Sequence, residues 1–206
     1  MTKKVWGQPE ITNTRVFGFN ESIMAMRNPL DSWARSDSCY PGKQKLGKAD
    51  ISLSQNLSKA GTEHRKHLRF IRVYANLKFP RYIWSEIDTY KHIDKISCST
   101  MHTLSKRALT TRDFMEESAS LGTMLELNRL IERIQKGDKE LFVILKRKLP
   151  EGFLQMRTIS TNYEALLSMY LQRRYHRLPE WKIICDWILD LPNFKELTGM
   201  GLKSGD

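Results

Sequence analysis

Residues 69–79 constrain the fold more than any other stretch of the chain. Ile71, Val73, Ala75, Leu77 and Phe79 alternate with Phe70, Arg72, Tyr74, Asn76 and Lys78, and period-two alternation over that length demands a half-buried strand. One face therefore lines a core. The other mixes aromatic, basic and amide groups, which suits a planar charged ligand, a solvated sheet face or a subunit interface. Pro80 follows at a position that suits the first turn of a helix, where a missing N–H costs nothing. Ile83, Ile87 and Tyr90 form the apolar stripe of that helix. Glu86 shares the stripe, so its carboxylate must be paired, ligand-facing or rotated to the rim, because an unpaired buried charge is costly.

Helices and short strands surround this element. Residues 15–19 read as a strand, and Asn20 as the N-cap of a helix carrying Ile23, Met24 and Met26 that stops at Asn28-Pro29. Asp50 caps a second helix with Leu53, Leu57 and Ala60 on one side, closed by Gly61. A long amphipathic helix over 114–135 repeats Leu121, Met124, Leu125, Leu127, Leu130, Ile131 and Ile134. Gly137-Asp138 breaks it and residues 139–148 begin another. Residues 36–49, rich in Gly, Ser and Lys, read as an exposed loop, and 198–206, with three glycines, as a flexible tail.

A chain of 206 residues is long enough for one well-buried domain and short for two, so 1–206 is read as a single domain. No apolar run approaches the roughly 18 to 20 residues that span a bilayer, and the N-terminus turns polar early, so a cytoplasmic protein is expected. Cys39, Cys98 and Cys185 are an odd, scattered set with no Cys-x-x-Cys pair, which argues against a disulfide framework or a zinc site. His64 and His67 lie three apart without a third ligand at metal-binding spacing, so no metal is expected. The net charge of +11, dense at residues 146–148 and 173–177, favours nucleotides, phosphate-rich cofactors or nucleic acid as partners, or a solvated basic face.

The last third of the chain runs Leu149-Pro150, Arg157, Thr161-Asn162, a helix with Leu166, Leu167, Tyr170 and Leu171, then Arg173, Arg174, His176 and, after Pro179, Trp181. This order resembles the flavin-dependent thymidylate synthase (ThyX) family, whose C-terminal half carries a Leu-Pro, an Arg, a Thr-x-Asn and a Leu-x-Leu-Arg helix before a His and a Gln-Trp. The N-terminal half is similar too: Ser22 to Met26 followed by Arg27, the Gly61-Thr-Glu-His64 turn, the alternating strand and Pro80. One departure stands out. Where the family has Arg-His-Arg-x-x-Ser, this chain has Trp84-Ser-Glu-Ile-Asp88-Thr-Tyr90-Lys91-His92 and then Ile96-Ser97-Cys98-Ser99-Thr100-Met101-His102. Arg157 is also displaced by one position.

The resemblance implies an α/β (α+β) fold, a small antiparallel sheet packed against a helical bundle. It implies reductive methylation of dUMP to dTMP with methylenetetrahydrofolate, reduced FAD and NADPH, in a homotetramer with sites at subunit interfaces. By resemblance Arg173 or Arg174, ambiguous by one residue, meets the pyrimidine as the catalytic group. Lys91, His92, Asn162 and His176 face the cofactor, although Asn162 also fits as the N-cap of its helix. Glu86, Ser97, Ser99 and Arg157 face the substrate, and the hydroxyls of Ser97, Ser99 and Thr100 suit a phosphate. The same fold without the signature would equally serve as a non-catalytic nucleotide- or nucleic-acid-binding protein, or act on another pyrimidine nucleotide.

Overall fold

A computed structural model describes residues 5–39 and 45–201. Four strands, β1 (Glu10–Phe17), β2 (Arg72–Pro80), β3 (Asp94–Ser97) and β4 (Leu154–Asn162), form one antiparallel sheet in the order β1-β2-β4-β3. The helices are α1 (Phe19–Arg27), α2 (Lys48–Ala60), α3 (Arg81–Ile87), α4 (Thr100–Thr103), α5 (Leu121–Gln135), α6 (Leu141–Lys148), α7 (Tyr163–Arg173), α8 (Pro179–Leu189) and α9 (Phe194–Thr198). The chain divides into two compact units, one of residues 1–12, 76–89 and 95–158, the other of 13–75, 90–94 and 159–206. Each strand begins in one unit and ends in the other.

The unit containing α5 and α6 closes on Leu104, Leu109, Phe114, Met124, Leu127, Ile131, Leu145 and Leu149. Ser120 starts α5 by accepting from the Thr123 N–H at 3.0 Å. The helix expected over 114–135 is therefore shorter. Phe114 instead bridges Phe153 in extended backbone, and the two rings meet edge to face at 5.7 Å. Leu121 and Leu125 lie on the exposed side of α5, so the apolar stripe is narrower than the sequence suggests.

In the other unit α2 packs on α9 and α7 on α8, around Tyr163, whose ring meets Phe19 at 6.0 Å and Phe194 at 5.1 Å. The alternation on β2 is realised: Ile71, Val73, Ala75, Leu77 and Phe79 are all buried. At about 1.5–3 kcal/mol for each large side chain, that face is a major anchor of the sheet. A short 3-10 helix over Arg65–Phe70 replaces the first residues of the expected strand.

Several boundaries move for local reasons. β1 starts at Glu10, and α1 is capped by Gly18 at φ 94, not by Asn20. A side chain at position 18 would meet the Phe70 carbonyl oxygen at 2.1 Å, so only glycine fits. Asp50 is no cap either: it lies inside α2, fully buried, against Arg27. Asp37 supplies the cap from a distance, accepting from the Ala49 N–H at 2.9 Å and the Asp50 N–H at 3.2 Å. Those hydrogen bonds hold the Asp37 carboxyl below its usual range, the Ala49 N–H contributing most. Within 36–49, Ser36 and Ser38 donate to Asp50 and are half-buried, and Gly47 is buried, while 40–44 lie outside the described residues. At the C-terminus Thr198 is buried in α9, and 202–206 are outside the described residues.

Candidate functional site

α7 carries the inward-facing arginine. Its N-cap is Asn162, whose Oδ1 accepts from the Ala165 N–H at 2.9 Å, and the helix buries Tyr163, Leu166, Leu167 and Met169. Arg173, four residues after Met169, therefore emerges beside the core. Its Nε donates to the Tyr90 hydroxyl at 2.8 Å. The guanidinium carbon lies 4.7 Å from the Trp181 ring centroid and 5.7 Å from that of Tyr90. Each such cation–π contact contributes about 0.5–2 kcal/mol, more where water is excluded, and Trp181 is fully buried. His176 stands at the same place, 6.0 Å from Trp181, with Nδ1 accepting from the Leu178 N–H. Arg174 points elsewhere, exposed over the exposed ring of Tyr175. Tyr90 was read as part of the α3 stripe, but α3 ends at Ile87.

Lys91 and His92, on the turn after Tyr90, are exposed. His92 adopts φ 63, and its carbonyl accepts from the Thr161 hydroxyl at 3.2 Å. Asn162 is buried and serves as the cap that its sequence position suggests. Of the residues expected at the cofactor, these three and His176 all lie in the unit that holds Arg173.

Glu86, Ser97, Ser99 and Arg157 lie in the other unit. Arg157 stacks on Trp84, its guanidinium carbon 4.4 Å from the ring centroid. Its Nη1 donates to both Asp88 oxygens, at 3.0 and 3.1 Å, and Nη2 to Gln155 Oε1 at 3.3 Å. Lys95 also reaches Asp88, at 3.3 Å. This arginine is tied to its own fold. Glu86 is half-buried, Ser97 exposed, and Ser99 half-buried at the N-cap of α4 without using its side chain there.

The neighbouring hydroxyl carries more chemistry. Thr100 is buried at the start of α4, and the Lys146 ammonium donates to its Oγ1. Lys146 has no carboxylate partner among the described residues, unlike Lys148, which pairs with Glu126 at 2.6 Å. Burial and then the nearby Arg81 guanidinium lower the pKa of Lys146. Arg81 is itself paired with Glu151 at 3.1 Å, so the ammonium of Lys146, with a hydroxyl beside it, is the group left to meet an anion. Thr100 opens on a cavity of about 420 Å³ that Lys78, Cys98, Thr103, Arg107 and Gln155 also line. Sequence reasoning had Lys146 only as one of three basic residues in a run.

A second cavity, of about 500 Å³, lies within the Arg173-containing unit. Met26, Leu53 and Leu57 give it apolar walls, and Arg35, His64 and Lys66 line it as well. It is built from the Arg27 helix and the Gly61-Thr-Glu-His64 turn. His67 also lines it, buried, with Nε2 2.9 Å from Ser54 Oγ. Burial lowers the His67 pKa to about 4, opposed by the His64 backbone carbonyl. Of the residues expected at the site Thr100 lines the first cavity, and the other ten line neither.

No known protein-family model matches this chain, and no curated protein matches it in sequence. Its fold does match solved structures. A flavin-dependent thymidylate synthase ThyX from Helicobacter pylori, crystallised with FAD and dUMP, superposes with a TM-score of 0.71 at 17% identity, covering 91% of this chain and 96% of that one. A second structure of Helicobacter pylori ThyX with FAD and dUMP gives 0.72 at 17% identity, over 92% and 96%. At that identity the likeness concerns architecture alone: this chain has the fold of the flavin-dependent thymidylate synthases.

Proposed function

We propose that the protein is a thymidylate synthase-like flavoenzyme that reductively methylates dUMP to dTMP with methylenetetrahydrofolate as the carbon donor. The observation that carries this reading is the Lys146–Thr100 pair beside its cavity, on a fold seen elsewhere with FAD and dUMP. A half-buried ammonium without a carboxylate, next to a hydroxyl donor, matches a phosphate monoester. Ser97 and Ser99, on either side of Cys98 and just before Thr100, would add hydroxyls at the same end of the nucleotide. Arg157 supports that region through Trp84 and Asp88.

The cavity in the other unit fits a flavin dinucleotide in kind: apolar walls for a ring system, with Arg35 and Lys66 for phosphates. FAD bound there would supply hydride, with NADPH restoring it. The protein's own task is then positional and electrostatic. Arg173 is the group proposed for the pyrimidine edge, its plane fixed by Trp181 and its Nε by Tyr90. By the family resemblance Asn162, Lys91, His92 and His176 would face the cofactor; they share that cavity's unit without lining it.

Two readings test it together: flavin absorbance of the protein after loading with FAD, and rescue of a thymidine-requiring strain. A yellow protein that rescues growth, with Arg173→Ala folded but unable to rescue, is the expected result. A colourless protein that takes up no FAD and supports no growth would sink the proposal.

A further inference from the structure

The outward face of β1 and β2 holds chemistry that the proposed reaction leaves unused. Thr14 Oγ1 accepts from Trp187 Nε1 at 3.0 Å, so Thr14 points toward α8. Strand alternation then turns Arg15 and Phe17 to the opposite side. On β2 Val73 is buried and Tyr74 exposed. The Phe17 and Tyr74 rings meet edge to face at 6.4 Å, which places both strands' side chains on one surface. Arg72, between Phe70 and Tyr74, donates to Ser160 Oγ at 2.7 Å, with Asp94 at 3.9 Å. Phe17 and Tyr74 are 55% and 39% exposed, far more than core aromatics would be. Arg15 is exposed and makes no ion pair among the described residues.

We propose that this face docks single-stranded nucleic acid, with bases stacking on Phe17 and Tyr74 and phosphates meeting Arg15 and Arg72. Aromatic rings interleaved with arginines on an open sheet supply the two interactions an unpaired strand offers, π-faces and evenly spaced negative charge. The chain's net charge of +11 complements that partner. A second copy of the chain is a poorer occupant. A two-fold interface sets the same arginine-bearing patch against its copy, so the face would meet like charge in place of a polyanion. Duplex nucleic acid keeps its bases stacked internally and offers the rings nothing. The proposal depends on neither flavin nor dUMP, so it stands or falls separately from the synthase reading.

Fluorescence anisotropy of a labelled oligothymidylate of about 15 nucleotides against the full-length protein tests it. Binding is expected to weaken at least roughly tenfold between about 50 and 200 mM salt. The double variant Phe17→Ala/Tyr74→Ala should bind at least roughly tenfold more weakly with an unchanged circular-dichroism spectrum. Should that variant misfold, Arg15→Glu, a surface change, must show the loss instead. No binding by the wild type, equal affinity for a duplex of the same length, or unchanged affinity in folded variants would overturn the proposal. So would sedimentation showing that Tyr74→Ala dissolves a self-associated species, which would assign the face to a second copy.

Discussion

Arg173 and Arg174 are adjacent in sequence and opposite in environment. One guanidinium is held by a hydroxyl and two rings; the other lies over an exposed tyrosine. Tyr90 contributes both a ring and a hydrogen bond to the first, so Tyr90→Phe removes only the acceptor for Nε. The variant should lose about 1 kcal/mol of stability in urea unfolding, the ordinary net worth of one hydrogen bond. Loss of several kcal/mol would mean that the hydroxyl holds more than Arg173. At this scale sequence reading located the pair but missed its packing, because Tyr90 reaches Arg173 across 83 positions of chain. Lys146 was hidden for a related reason. In the run Lys146-Arg147-Lys148 nothing local separates the residue that turns inward from the two that remain in solvent.

Among the elements, α7 was the most legible. Thr161-Asn162 put an asparagine directly ahead of an apolar run, and the structure shows the cap closing on Ala165. Asn162→Ala should cost about 1 kcal/mol, within the 0.5–2 kcal/mol range of such caps, in chemical denaturation. A neutral effect would show that water or another side chain takes over the Ala165 N–H. β2 was legible through its alternation. β4 was not, because the Gln155 side chain is spent on the Cys98 carbonyl and Arg157, and Arg157 on Trp84 and Asp88, rather than sorted into core and solvent faces. The α2 cap escaped notice because it comes from Asp37, 12 residues before Ala49, where local capping rules do not look.

For the molecule as a whole, the order of elements was readable and the division of the strands between two compact units was not, since that depends on contacts far apart in sequence. His67 gives the protein a pH dependence of known sign. Its imidazole takes up a proton below about pH 6.5 in the unfolded chain but only near pH 4 when folded. The unfolded state thus binds more protons between those values, and stability falls as pH drops through that window, by up to about 3 kcal/mol. Thermal midpoints recorded down the window should decline in the wild type and flatten in His67→Gln; parallel curves would remove His67 as the cause. The claim on which the functional account turns is that Lys146 and Thr100 receive a nucleotide phosphate, and calorimetric titration with dUMP against deoxyuridine tests it most directly. The account predicts that dUMP binds at least roughly tenfold more tightly, the worth of a charge-assisted hydrogen bond, and that Lys146→Ala abolishes the difference. Equal affinity for the two ligands, no binding of either, or a phosphate preference that survives Lys146→Ala would contradict it.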